Sequence, residues 1–186
     1  SIGIAMAPEH AASSDSLMKM ADLALYRAKS AGRNGYCFFD PEMSMAASAR
    51  HELESELRRA IQLDELELHY QPIVDTKTLR VCGAEALIRW RHPTKGMILP
   101  DQFIPLAEES AHIVRLGRWV LVEACRQVRA WSRTIAAGDG LRVAVNISGR
   151  HLQHADLVAD VRHALDISGL DPGNLVIELT ESTIMH

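Results

Sequence analysis

Three short apolar runs each carry a side-chain oxygen that such a run has no packing reason to hold. They are Gly83-Ala-Glu85-Ala-Leu-Ile-Arg89-Trp90, Val143-Ala-Val-Asn146-Ile-Ser148 and Leu175-Val-Ile-Glu178-Leu-Thr-Glu181-Ser182. A carboxylate flanked by Ala84, Ala86, Leu87 and Ile88 is costly to bury alone, so it calls for an arginine or a metal beside it. Two carboxylates and an amide oxygen form an all-oxygen set suited to Mg²⁺ or Mn²⁺ and unsuited to structural zinc. Arg89 follows Glu85 by four residues, on the same face of an extended segment, where a guanidinium can meet a phosphate. The joint reading is a divalent metal with a phosphate bound nearby. Taken singly, each glutamate has a structural account, such as an ion pair with Arg89 or Arg91, and the residue types leave both accounts open.

To bring these oxygens together, the runs must be strands whose carboxyl ends meet. The sequence predicts strands over 66–74, 80–90, 141–147 and 175–179. Between the later ones it predicts helices: one starting near Asp101 after a loop with Pro93, Gly96 and Pro100, a longer one over 117–133, and one over 152–168 stopped by Gly169. Apolar strands separated by helices point to crossover units, a parallel sheet and a ligand crevice at the strand carboxyl ends. An open doubly wound sheet and a (βα) barrel both fit, although no GxGxxG follows the first strand to support a dinucleotide site.

The first 40 residues form a separate strand, helix and strand pattern, too small to be a stable domain alone. Ser1 to Met6 reads as a strand, and Ser14 or Asp15 caps a helix with apolar positions Leu17, Met20, Ala24, Leu25 and Ala28. Lys29 falls in its last turn, Gly32 stops it, and Tyr36 to Phe39 is the second strand. Asp40-Pro41 and the Met/Ala/Ser stretch after it mark a boundary. A connector helix is expected over 46–63, with Leu53, Leu57 and Ile61 as its apolar stripe and the Glu52 to Arg59 charges as a solvated face. The division is residues 1–40, a linker and connector helix over 41–63, and residues 64–186.

Composition narrows the function classes. The 186 residues carry 20 basic and 24 acidic side chains, a net charge of −4, which gives no footprint for a DNA or RNA partner. Trp90, Trp119 and Trp131 are therefore expected in the core or an interface rather than as base-stacking platforms. No apolar run approaches the ~20 residues that span a bilayer, and no leader pattern opens the chain, so a cytoplasmic location is expected. Cys37, Cys82 and Cys125 fit neither a disulfide framework nor a metal site and are expected as reduced, mostly buried thiols. His151 and His154 are expected as a solvated pair, and His69 as a half-buried strand residue. Both ends are abrupt, an opening apolar run without Met and a close just after another, which suggests a piece of a longer protein.

Five segments in order identify a resemblance: Tyr70-Gln71-Pro-Ile73, Gly83 to Trp90, Pro100-Asp-Gln-Phe-Ile-Pro-Leu-Ala-Glu-Glu109, Val145-Asn-Ile-Ser148 and Glu178-Leu-Thr-Glu-Ser182. Together they resemble the EAL domain of bacterial cyclic di-GMP phosphodiesterases. Ser1 to Ala5, Ala21 to Lys29 and Gly32-Arg33-Asn34 resemble the C-terminal part of a GGDEF (diguanylate cyclase) domain. The fold implied is α/β: a partial (βα)8 TIM-type barrel with about four of its eight strands, preceded by the strand-helix-strand end of the GGDEF domain.

The activity implied is hydrolysis of cyclic di-GMP to the linear dinucleotide with two Mg²⁺ or Mn²⁺ ions. Position by position, Glu85, Asn146 and Glu178 resemble metal ligands, and Gln71 and Arg89 resemble substrate contacts. Glu181 resembles the residue that steadies a neighbouring active-site loop, and Lys29 and Arg33 resemble phosphate contacts of the GGDEF family. The family's paired aspartates, lysine and later glutamate and glutamine have no counterpart up to His186. The 186-residue polypeptide alone is therefore expected to be inactive, and with open sheet edges to associate. The parent is expected to form a homodimer through its EAL domain, with an upstream membrane tether left open. The competing reading is a degenerate GGDEF-EAL module that binds cyclic di-GMP as a sensor or scaffold.

Overall fold

The computed structural model describes residues 1–110, 112–134, 140–154 and 156–179. The chain divides into two compact units, Ser1–Ser55 and Glu56–His186. In the first, β1 (Ile2–Ile4) pairs in parallel with β2 (Tyr36–Phe38), joined by helix α1 (Ser14–Ser30). The cap of α1 is Ser13, one residue before the expected pair, and its Oγ accepts from the Ser16 backbone N at 3.3 Å. Ala24 and Ala28, expected on the apolar stripe, are buried.

Helix α2 (Pro41–Ala60) begins five residues ahead of the expected connector, because Pro41 suits a first helical turn and the Asp40 carboxylate accepts from the Glu42 backbone N at 2.8 Å. Leu57 and Ala60 are buried. The expected solvated charge run holds only in part: Glu56 is half-buried and paired to His92 Nε2 at 3.1 Å and to Lys95.

The second unit is built on a sheet of order β3-β4-β6-β7, from β3 (Leu66–Val74), β4 (Val81–His92), β6 (Arg142–Ile147) and β7 (Leu175–Leu179), with β5 (Gly96–Ile98) paired to β4. β3 and β4 are antiparallel, because the few residues between them allow only a hairpin. Asp75 Oδ1 closes that turn by accepting from the Lys77 and Thr78 backbone amides at 3.0 and 2.7 Å. β4 with β6 and β6 with β7 are parallel, as the intervening helices require. The stretch expected as loop around Gly96 contains β5.

The helices are α3 (Pro100–Glu109), α4 (His112–Thr134), α5 (Gly149–His154) and α6 (Leu157–Ser168). The helix expected over 152–168 is thus two. Asp156 breaks the run by capping α6, its Oδ1 accepting from the Ala159 backbone N at 3.0 Å, and Gly169 ends α6 at φ 66°.

The period-2 alternation of the strands separates two chemistries. One sheet face carries Ala86, Val143, Val145, Tyr70, Ile88 and Ile177 against Val120, Leu121, Ala124 and Val128 of α4 and Ala164 of α6. Each fully buried aliphatic side chain there contributes about 1.5–3 kcal/mol. The Tyr70 ring packs edge-on against Trp131 at 4.8 Å, and burial pushes its phenol above the ordinary value. Trp90 is fully buried against Phe103, and Trp119 and Trp131 pack at the core margin, in keeping with a core role for all three.

The cysteines divide differently from the expectation. Cys125 is buried, Cys37 half-buried and Cys82 exposed. Cys82 sits where β3 and β4 shift register, one residue before pairing with β6 starts, and its Sγ donates to the Ile73 carbonyl at 3.4 Å while the residue stays exposed. No helix among the described residues is long and apolar enough to cross a membrane.

Candidate functional site

The opposite sheet face carries the oxygens. Glu85 lies on β4 within the segment Gly83 to Ala86 that runs parallel to β6, and its register partner on β3 is Gln71. Asn146 is the penultimate residue of β6, in register with Glu178, the penultimate residue of β7. The side chains of Glu85 and Asn146 meet, Asn146 Nδ2 donating to Glu85 Oε1 at 2.7 Å. Glu85 is half-buried, whereas Gln71, Asn146 and Glu178 are exposed.

The local reason is alternation: Ala84, Ala86, Val143 and Val145 must face the helices, so Glu85 and Asn146 must face the other way. The arrangement places a carboxylate and an amide in contact, with a second carboxylate one strand away. This donor set fits a hard divalent cation, which accepts few protein carboxylates and completes its shell with water. Among the described residues no group of three or more His, Cys, Asp and Glu could hold a metal ion, so the set depends on the Asn146 amide.

Arg89 faces the same side as Glu85, four residues along β4 and opposite Glu67. It is half-buried, and its Nη1 donates to the Ile88 carbonyl at 2.8 Å. Glu181 lies outside the described residues. Lys29 and Arg33 belong to the first unit, at the end of α1 and in the turn beyond it, both exposed, with Arg33 at φ 60°.

Two histidines depart from expectation. His69 is exposed, not half-buried, because it shares the uncovered sheet face, and its Nε2 lies 2.9 Å from Glu67 Oε1. His151 is not solvated: it is 1% exposed and its Nε2 lies 2.9 Å from Asp160 Oδ2. The His154 side chain lies outside the described set. Of the His151 partners only Ser148, three residues ahead as a helix cap, leaves a sequence signal, and its Oγ accepts from the His151 backbone N at 3.2 Å. An apolar groove of about 380 Å³ opens beside these residues, lined by Ile104, Ile113, Leu116, Asn146, Ser148 and His151 among others.

The EAL domain family profile matches residues 54–186, and the diguanylate cyclase, GGDEF domain profile matches residues 1–35. The bifunctional diguanylate cyclase/cyclic di-GMP phosphodiesterase MucR of Pseudomonas aeruginosa is 47% identical over 187 residues, covering 100% of this chain and 27% of that protein. The cyclic di-GMP phosphodiesterase PdeR of Escherichia coli is 40% identical, covering 100% and 28%. The chain thus spans about a quarter of the length of the curated relatives it matches. The solved structure of the PaMucR phosphodiesterase in complex with c-di-GMP superposes with a TM-score of 0.67 at 47% identity, over 73% of this chain and 54% of that one. The EAL enzyme Bd1971 in its cAMP and cyclic-di-GMP bound form gives a TM-score of 0.70 at 28% identity, over 95% and 46%.

Proposed function

The chain belongs to the EAL domain family, and from that premise we propose that the full-length protein hydrolyses one phosphodiester of cyclic di-GMP, yielding the linear dinucleotide. The observation that supports this most is the contact of Asn146 with Glu85 on the sheet face that Glu178 shares.

In this reading Glu85, Asn146 and Glu178 hold Mg²⁺ or Mn²⁺. When bound, such ions lower the pKa of an attacking water and neutralise the phosphate charge. Gln71, opposite Glu85, and Arg89, further along β4, bind and orient the substrate, the guanidinium by charge-assisted hydrogen bonds to phosphate. The apolar backing of the sheet keeps Glu85 and Asn146 in fixed directions, so a cation meets ligands already oriented. Glu181 supports a neighbouring loop. Residues 1–40 are the C-terminal part of a GGDEF domain in which Lys29 and Arg33 are phosphate contacts, and residues 41–63 connect it to the EAL domain over 64–186. The protein acts in the cytoplasm, and its EAL domain forms a homodimer.

The test is turnover of cyclic di-GMP by the full-length protein with Mn²⁺, followed by chromatography of the products. Glu85→Ala should reduce it at least about 100-fold, and turnover unchanged by that substitution removes Glu85 as a ligand. Tight binding without turnover by the wild type would favour the sensor or scaffold reading. Residues 1–186 alone should be inactive, since three protein ligands cannot hold two ions in register even when water completes their shells. They should also associate in light scattering, because β3 and β7 are sheet edges among the described strands and Val176 and Leu179 are exposed.

A further inference from the structure

His151 lies in the first turn of α5, just past the corner with β6, and the hydrolytic reading has no use for it. Its Nε2 meets one oxygen of Asp160 on α6 at 2.9 Å, and the other Asp160 oxygen accepts from Arg118 Nε on α4 at 2.7 Å. One carboxylate therefore ties three helices together. The imidazole rests on Gly117 of α4 so closely that a Cβ there would stand 2.2 Å from His151 Nδ1.

The same turn is bound to the strand. Ser148, two residues after Asn146, accepts from the His151 backbone N through Oγ and from the Leu152 backbone N through its carbonyl, both at 3.2 Å. An apolar side chain would fill this seat with less desolvation. What the imidazole adds is direction, because a hydrogen bond to Asp160 fixes how α5 is rotated as well as how deeply it sits.

We propose that His151, oriented by Asp160 and Arg118 and seated on Gly117, is a positioning residue that holds the β6-to-α5 corner and thereby aims Asn146 at Glu85. This rests on the metal-site reading above. Groups hydrogen-bonded directly to a ligand change metal affinity about 10–100-fold when removed, and His151 acts one step further out, so the lower end of that range is expected.

The test uses the full-length protein and Mn²⁺ alone, measured by titration calorimetry, with thermal unfolding recorded in parallel. His151→Leu should weaken Mn²⁺ binding about tenfold, and His151→Gln, which can still donate to Asp160, should restore most of it. Leu157→Ala, a packing change at the start of α6, should lower the unfolding temperature without changing Mn²⁺ affinity. If His151→Leu fails to fold, Asp160→Ala, which removes the acceptor, carries the same expectation. Equal Mn²⁺ affinity in wild type and His151→Leu, or an equal loss in Leu157→Ala, overturns the proposal while leaving the metal site standing. A wild type that binds no Mn²⁺ overturns the metal reading, and this inference with it.

Discussion

Asn146 Nδ2 donates to Glu85 Oε1 at 2.7 Å across 61 positions of sequence, joining two parallel strands on the face turned away from the helical core. Replacing this amide by a carboxylate, Asn146→Asp, exchanges a hydrogen bond for repulsion between like charges. The metal-free variant should unfold at a lower temperature than the wild type. Its rise in unfolding temperature on adding Mn²⁺ should be larger, since a third carboxylate strengthens cation binding and binding stabilises by mass action. A thermal-shift titration checks both signs.

Gly117→Ala reverses an ordinary rule. In a helix interior alanine is favoured over glycine by about 1 kcal/mol, but here the new methyl would collide with the buried His151 ring. The expected result is a net loss of about 1–3 kcal/mol, read as a fall in unfolding temperature of about 2–4 °C per kcal/mol. In the double variant with His151→Ala the two losses should sum to less than their separate values, because the collision is gone.

The Glu56, His92 and Lys95 cluster predicts a pH dependence. The Lys95 hydrogen bond, with the charges of Lys95 and His92 adding to it, holds the Glu56 carboxyl below the ordinary value of 4.5 against the opposing effect of burial. Because the folded-state value is depressed, the stabilisation is complete above about pH 4.5 and is lost as pH falls through the folded value. His92 Nδ1 accepts from the Thr94 and Lys95 backbone amides at 3.2 Å, which leaves Nε2 to donate to Glu56. Glu56→Gln should cost about 0.5–1 kcal/mol near neutral pH. Urea unfolding repeated below about pH 4 should show that difference shrinking.

Thiol chemistry should follow burial. Burial pushes the Cys125 thiol up to about 11, so little thiolate forms near pH 8. Cys82 is exposed at the start of β4 and should be alkylated first, Cys37 more slowly, and Cys125 only on unfolding. Mass spectrometry of peptides after timed alkylation separates the three.

Much of the fold was legible because its signals are local. An oxygen inside an apolar run, as at Glu85 or Asn146, stands out against a period of two. Gly169 announces the end of α6 by a backbone conformation that side chains disfavour. The α/β class followed from helices lying between apolar strands, and the parallel pairing of β4, β6 and β7 agrees with it. The antiparallel entry of β3 departs from the parallel sheet expected, because its short connection to β4 cannot cross over, and β5 was hidden in a loop-like composition around Gly96.

By itself, the sequence determined which residues are able to do chemistry and which face of each strand they share, since alternation and side-chain type belong to each segment alone. Only the tertiary structure decided which of them touch. Register set Asn146 beside Glu85, and the missing side chain of Gly117 made room for a buried His151 that Asp160 then paired. Those proximities depend on how separate segments pack, and packing leaves no periodic trace in any one of them.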